Sequence, residues 1–479
     1  MIKKLRVRNF KAFEDTGYID LAPMTVLAGP NSGGKSSILQ SLLLLKQTLQ
    51  REEDYIELSL DGKYIQVSSL RDLTFRKPPL DECRLRFGLE LESRIPAQVV
   101  PRYYPSVRVP PNARDLPLCT RLNLSFRHRE RRGVRTPVVM DGFAMESSVM
   151  NEAGPKLSIA LSESGYQINM KGVSLPDDYQ GWEITGMGGR YFLPAFLYAR
   201  PSGQDEPRPQ LMLLDQIFRK PLDDLESELR DNLRYLGPLR DWPERAYMRA
   251  GSPSGEMGPR GENAAELLWL EKDSEVQYLD DWKGELEQRG LLESVREVLG
   301  KQFGVAETID VSTAEDVIYR ILFSLAKGGE ETVTIADVGF GVSQLLPIVI
   351  MGLRAPMGSL VVFEQPEIHL HPKLQASLGD FFLSLISLNK RVLLETHSDH
   401  LINRIRRRIA EDTTDRLKDM ISILFVRPPR EGKGARIEPL RVNRYGVIDN
   451  WPPDFLPESA NESELILKAG MQKRMDESR

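Results

Sequence analysis

The segment Met24-Thr25-Val26-Leu27-Ala28 runs directly into Gly29-Pro30-Asn31-Ser32-Gly33-Gly34-Lys35-Ser36 and then into Ser37-Ile38-Leu39-Gln40-Ser41-Leu42-Leu43-Leu44-Leu45. An apolar strand, a glycine-rich turn and an apolar helix in that order leave the chain few options. The glycines let the backbone curl so that successive N–H groups face one anion, and the helix that starts there adds its positive dipole end. The spacing is that of a phosphate-binding P-loop, so Gly29, Pro30, Asn31, Ser32, Gly33, Gly34, Lys35, Ser36 and Ser37 are expected to cradle a nucleotide. In this pattern Lys35 reaches the outer phosphates and Ser36 holds a Mg²⁺ ion.

The remainder of the chain bounds what surrounds that loop. With 479 residues, 41% hydrophobic and 28% charged, it has the make-up of a globular protein with room for two to four structural units. Its longest apolar runs, Leu42–Leu45 and Leu345–Met351, are too short to span a bilayer, and Met1–Leu5 leads into a charged strand instead of a signal-peptide core. A cytoplasmic protein without a membrane partner is expected. Two cysteines, Cys83 and Cys119, exclude a disulfide framework. The net charge of −5 does not mark a nucleic-acid binder, although arginines cluster at 127–135 and 404–408.

Along the chain, Lys3–Phe10 alternates basic and apolar residues and opens a mixed sheet. Short alternating stretches at Arg84–Leu91, Thr120–Phe126, Pro137–Met145 and Tyr166–Met170 predict an antiparallel layer. Helical patterns follow at Leu211–Leu236, Asn263–Leu270, Glu275–Gln288 and Leu291–Phe303. From Thr332 to Val426 apolar strands and helices alternate with the buried-strand look of a parallel sheet, as in Leu360–Phe363 and Val392–Leu394. Two strands, Ile421–Val426 and Ala435–Val442, join through a charged turn, and a polar helical tail is expected from Ser459. Prolines and glycines throughout 95–260 forbid a long coiled coil.

Four further motifs line up with the loop. Asp337–Gln344 opens an apolar helix with two glycines and the hydroxyl of Ser343, a second anion site by its position at a helix N-terminus. The strand Ser359–Phe363 ends in Glu364-Gln365-Pro366-Glu367, where a carboxylate would hold Mg²⁺ directly or through water. Ile368-His369-Leu370-His371-Pro372 comes next, and a last strand ends in Glu395-Thr396-His397-Ser398. His369, His371 and His397 would be zinc ligands only in a spacing unlike known zinc arrangements. His400 reads as a buried structural histidine.

Taken together, these motifs resemble those of ABC-type ATPase heads, and within them the SMC/RecF-like branch that includes the OLD-family ATPases. The opening Leu5-Arg6-Val7-Arg8-Asn9-Phe10-Lys11-Ala12-Phe13 is similar to the first strand of that branch. Tyr235-Leu236-Gly237-Pro238-Leu239-Arg240 and the tail from Asn443 through Pro452 resemble a bacterial subgroup of uncharacterised or defence-associated ATPases. The resemblance implies an α/β P-loop head, a mixed sheet flanked by helices, with a large inserted α+β lobe and a small C-terminal extension. The boundaries expected are 1–95 and 316–430 for the two head halves, 96–315 for the lobe and 431–479 for the extension. It further implies that Gly29–Ser36 binds the phosphates of ATP, that Ser343 and Gln344 belong to a signature motif completing the site of a second head, that Glu364 joins Ser36 at Mg²⁺, and that His397 is the switch histidine.

One position departs from that pattern. The residue after the metal-linked acid is normally the glutamate that orients the attacking water, and here it is Gln365. An amide cannot accept the proton as a carboxylate does. Either Glu367 or His397 takes over the polarising role in a slow ATPase, or the head is an ATP-held clamp. The expected function is a nucleotide-dependent switch that forms a homodimer or a higher even-numbered oligomer and controls an effector, a nuclease or toxin, in anti-phage defence. The alternative is a RecF/SMC-like clamp that binds DNA in repair or maintenance. No clustered acids of a nuclease follow Asp399.

Overall fold

A computed structural model of the protein describes the whole chain except residues 52–56, 130–137, 163–164, 173–181, 191, 202–209, 214–215, 249–254, 315–317, 325–331, 431, 451 and 453–479. The tail from Ser459 and most of the arginine run 127–135 therefore lie outside the described residues.

Five strands pair in parallel to form the centre: Leu233–Leu236, Leu360–Glu364, Arg391–Glu395, Met24–Ala28 and Ile421–Arg427, in that spatial order, with Arg436–Leu440 added antiparallel at one edge. Met24–Ala28, Leu360–Glu364 and Arg391–Glu395 are buried at every position. Strands of this kind read as continuous apolar runs because both faces of a parallel sheet are covered. Successive side chains point to opposite faces. Leu27, Leu360, Val362 and Leu393 face one core, with the helix Lys35–Leu49 and the antiparallel layer. Val26, Val361, Phe363 and Leu394 face the other, with the helices Phe340–Arg354, Pro372–Ser387 and Asp399–Glu411. This is a mixed α/β architecture, a mainly parallel sheet flanked by helices.

The antiparallel layer is a meander of Arg84–Pro96, Asp115–His128, Val138–Val149, Glu152–Ser162 and Gly165–Lys171, and the N-terminal strand Ile2–Phe10 pairs along its first member. Among the described residues the longest helix has 16 residues, so no long coiled coil occurs among the described residues of the lobe. Two helical expectations fail. Glu275–Gln288 is instead a hairpin of Glu275–Tyr278 with Glu287–Gly290, consistent with the period-2 pattern of Glu-Val-Gln-Tyr. Leu211–Leu236 is a helix only over Gln216–Ser227; it passes through a π-helical turn, Glu228–Asn232, into the strand Leu233–Leu236, which the parallel sheet captures beside Leu360–Phe363. One strand of the central sheet thus comes from within 96–315.

A buried ion pair ties these parts together. Arg391 pairs with Glu228 and donates to the Ile2 carbonyl (3.0 Å), while the other Glu228 oxygen accepts the Ile2 N–H (2.7 Å). The π-helical turn, the first strand and the strand Arg391–Glu395 are joined at one point. Removing Arg391 leaves the buried Glu228 carboxylate with the half-exposed Met1 amino group, at 3.4 Å, as its counter-charge, and breaking a buried pair typically costs about 3–5 kcal/mol. Arg391→Met is expected to lower the urea-unfolding free energy by about that amount. Adding Glu228→Gln, which keeps the acceptor for Ile2, is expected to restore a large part of the loss.

Candidate nucleotide-binding site

The C-terminal ends of the parallel strands all open on one edge, the place where open α/β sheets bind ligands. Residues 29–34 leave Met24–Ala28 there and lead into the helix Lys35–Leu49, whose N-terminal turn has no side-chain cap. Its first N–H groups are available to an anion. Two glycines make the loop possible. Gly29 adopts φ +138°, and a Cβ on it would lie 2.5 Å from the Val426 carbonyl oxygen. Gly34 adopts φ +106° with the Ala12 Cβ only 2.8 Å from where its own would be. The loop is thus gripped between the strand Ile421–Arg427 and the turn after the first strand.

Lys35 is buried and folds back on the loop, its Nζ donating to the carbonyls of Gly29 (3.0 Å) and Pro30 (2.8 Å). Burial lowers its pKa, against the opposing pull of Glu395, Glu367 and Glu364. Ser36 donates its hydroxyl to Glu395 Oε1 at 3.0 Å. Asn31 and Ser32 are exposed, and Ser37 is buried at the helix start, its N–H bonded to Gly34.

Three carboxylates crowd this edge. Glu364 and Glu395 are register partners on adjacent parallel strands, and Glu395 is paired on its other side with Leu27 of the loop strand. Glu364 is held by the Tyr235 hydroxyl, which donates to its Oε2 at 2.6 Å. Burial, then the Glu364 charge, pushes Glu395 up to about 7. Glu367 accepts the His397 N–H at 2.6 Å, and burial raises its pKa too. Glu395 Oε2 and Glu367 Oε2 are buried without a hydrogen-bond partner among the described residues. Buried carboxylate oxygens in that state fit a cation, which Mg²⁺ would be when it arrives with phosphates, since Mg²⁺ is ordinarily held through one or two carboxylates plus substrate oxygens.

Gln365 takes φ +45°, its N–H donating to the Glu395 carbonyl (2.7 Å) and its own carbonyl accepting from Arg240 (3.3 Å). Arg240 is buried, and desolvation brings it down to about 10, so its charge stays. The His397 ring has an edge open to solvent, yet desolvation and the Lys35 ammonium push it down to about 4. It is neutral at pH 7, able to donate or accept one hydrogen bond.

Ser343 and Gln344 lie elsewhere. Ser343 donates to the Phe340 carbonyl (2.7 Å) within its own helix and lines a cleft with Arg240, Trp242 and Pro347. No hydrogen bond joins either residue to the phosphate loop among the described residues. The zinc alternative does not form: His371 caps the helix Pro372–Ser387 by accepting the Lys373 N–H, and His369 lies edge-on against Phe340 at 4.9 Å. The expectation of a buried His400 is not met, since its side chain is exposed beside Asp399. No group of three or more His, Cys, Asp or Glu side chains suited to a metal occurs among the described residues. No helix among them is long and apolar enough to cross a membrane. Of the arginines at 404–408, Arg404 and Arg408 pair with Asp380 on the neighbouring helix, the exposed Arg407 and also Arg408 pair with Glu411 of their own helix, and Arg406 donates to the Gly446 carbonyl.

Glu395, Tyr235 and Arg240 escaped the sequence analysis as site residues. Glu395 was visible as an acid ending an apolar strand, the same signal that singled out Glu364. Tyr235 and Arg240 lie within a segment noted only for its resemblance, and nothing local marks their contacts with Glu364 and Gln365.

The loop, the sheet and the carboxylate edge define a P-loop nucleotide-binding head. Residues 1–76 and 270–402, together less than half of the chain, match the AAA ATPase domain family AAA_15, so the chain carries an ATPase domain split by the intervening residues. Among solved structures it is similar to an SMC head bound to the C-winged helix domain of ScpA (12% identity, 92% of this chain and 98% of that one, TM-score 0.43). It is also similar to the SMC head domain from Thermotoga maritima (11%, 92% and 99%, 0.38). A third is an Smc head with an extended coiled coil bound to the C-terminal domain of ScpA derived from Pyrococcus furiosus (11%, 92% and 96%, 0.38). No curated protein matches the chain.

Because Gly34 has no room for a Cβ and a strained left-handed residue costs about 1–3 kcal/mol, Gly34→Ala is expected to weaken ADP binding by about tenfold or more while the unfolding transition remains cooperative. Isothermal titration beside a thermal melt checks both halves of this expectation.

Proposed function

We propose that the protein is an ATP-dependent switch in which Gly29–Ser37 binds the phosphates, Ser36 and Glu364 belong to the Mg²⁺ site, and two copies close on nucleotide through Ser343 and Gln344. The observation that carries the reading is the edge where Lys35, Ser36, Glu364 and Glu395 converge: a mobile cation, a hydroxyl and two carboxylates placed for a metal-bound triphosphate. In this reading Lys35 leaves the Gly29 and Pro30 carbonyls and moves to the outer phosphates. The signature residues serve a second copy, because they are not engaged with the loop of their own chain. The head halves are 1–95 and 316–430, the lobe 96–315 lends Leu233–Leu236 to the sheet, and 431–479 is an extension.

Gln365 makes turnover slow. Its amide donates a hydrogen bond but takes no proton, and the neutral His397 and the partly unpartnered Glu367 are the groups left to polarise water. Slow turnover suits a switch whose closed state acts on an effector, a nuclease or toxin. The effector and a place in phage defence rest on the resemblance of Tyr235–Arg240 and Asn443–Pro452. The DNA clamp is the weaker reading, because Arg404 and Arg408 are engaged by Asp380 of the neighbouring helix and Arg406 by the Gly446 carbonyl, which leaves Arg407 as the exposed arginine of that cluster. Steeply salt-dependent binding of plain duplex DNA would reverse that order.

Three measurements test the proposal. Lys35→Ala is expected to abolish ATP binding in a direct titration, and unchanged affinity refutes the phosphate loop. Ser343→Arg is expected to leave ATP binding nearly intact but to block association induced by a non-hydrolysable analogue; equal sedimentation of mutant and wild type refutes the shared site. Gln365→Glu is expected to raise steady-state phosphate release about tenfold or more, since a positioned base is worth roughly 10²–10⁴-fold. If Gln365→Glu is inert and Glu367→Gln or His397→Ala abolishes release, the site runs on a displaced base.

A further inference from the structure

We infer that Glu395, on the strand between the phosphate loop and the Glu364 strand, is the principal Mg²⁺-linked carboxylate, with Glu364 one strand further out. The inference rests on the nucleotide-binding reading above and deepens it by ranking the two carboxylates that the reading places at the metal.

Three observations carry it. First, position: the sheet order places Arg391–Glu395 between Leu360–Glu364 and Met24–Ala28, so the Glu395 side chain stands nearer the loop than that of Glu364. Second, contact: the Ser36 hydroxyl, a metal ligand in P-loop sites, donates to Glu395 Oε1 at 3.0 Å, whereas Glu364 is engaged on its far side by Tyr235. Third, an open valence: Glu395 is 2% exposed, and its Oε2 has no partner among the described residues. A buried carboxylate oxygen is normally hydrogen-bonded. One left unpartnered beside a metal-ligand hydroxyl is accounted for by a cation that binds there. Arrival of Mg²⁺ with the phosphates turns the Ser36 oxygen lone pair to the metal, and Glu395 then faces the ion directly or through a water.

Glu395→Gln is a discriminating test because the amide oxygen still accepts the Ser36 hydroxyl and only the charge is lost. ADP affinity of the full chain is to be measured by titration in Mn²⁺ and again in EDTA, for wild type, Glu395→Gln and Glu364→Gln. The tightening that Mn²⁺ confers is expected to shrink at least about tenfold in Glu395→Gln, the low end of what carboxylates around a metal contribute, and less in Glu364→Gln. ADP affinity in EDTA is expected to be unchanged or tighter, which also shows that the loop is folded. The electron paramagnetic resonance signal of Mn²⁺ bound with ADP is expected to weaken in parallel. An undiminished Mn²⁺ effect in Glu395→Gln overturns the assignment, as does a larger loss in Glu364→Gln or an equal loss of affinity with and without metal. Should Glu395→Gln not fold, Glu395→Asp, which keeps the charge, is expected to retain a Mn²⁺-dependent gain, and its absence overturns the assignment. Failure of the underlying reading looks different: Lys35→Ala would then bind ADP like wild type.

Discussion

Everything at the nucleotide edge depends on the parallel pairing of Met24–Ala28 with Arg391–Glu395, two five-residue strands more than 360 residues apart in the chain. That ladder sets Leu27 level with Glu395, and the next sets Glu395 level with Glu364. A slip of one residue would turn each carboxylate to the opposite face of the sheet. Register is held because both faces are buried, one against the helix Lys35–Leu49 and one against three helices of the second head segment. The Arg391–Glu228 pair clamps the start of the same strand to the first strand and to the lobe. The lobe is therefore part of the machinery that sets the height of Glu395 above the loop.

The charge arrangement is out of balance in a way that points to its ligand. Glu364, Glu367 and Glu395 are buried close together, and burial raises Glu367 and Glu395. Lys35 and Arg240 offset part of this, but Lys35 is turned onto loop carbonyls and Arg240 keeps two nitrogens unpartnered among the described residues. Such perturbed groups, gathered at the carboxyl ends of parallel strands, are what a functional site looks like. A divalent cation would satisfy the carboxylates, and a phosphate would satisfy the lysine.

Strained backbone is also found at the same edge. Gln365 and His369, neither a glycine, adopt φ of +45° and +64° within one turn, and the turn is held by Arg240 on the Gln365 carbonyl and by Phe340 against the His369 ring. Phe340 begins the helix that carries Ser343, and Trp242 stacks on Phe340 from the Tyr235–Arg240 side. The acidic turn, the signature helix and the lobe segment thus share one aromatic contact, a physical route by which a change at the nucleotide would be felt at the surface where a second copy is proposed to bind.

Much of this was legible in the sequence where it was carried by local pattern. The phosphate loop, the buried strands at Leu360 and Val392, the meander after Arg84 and the hairpin at Ile421 each follow from apolar periodicity and the chemistry of glycine and turns, which act over a few residues. What failed or was missed depended on partners far away in the chain. Leu233–Leu236 became a strand because a parallel sheet had a free edge for it, and Glu275–Gln288 became a hairpin where an amphipathic pattern was equally consistent with a helix. Arg404 and Arg408 looked like part of a charged face until the fold brought Asp380 of another helix beside them. Glu395 gained its place only when the fold put it between Ser36 and Glu364. The sequence by itself pointed to an anion site at Gly29–Ser36, since a glycine loop between an apolar strand and a helix is a local pattern. Which carboxylate stands beside Ser36 was decided by tertiary structure alone, because strand order and register are properties of the assembled sheet and leave no mark on the residues that obey them.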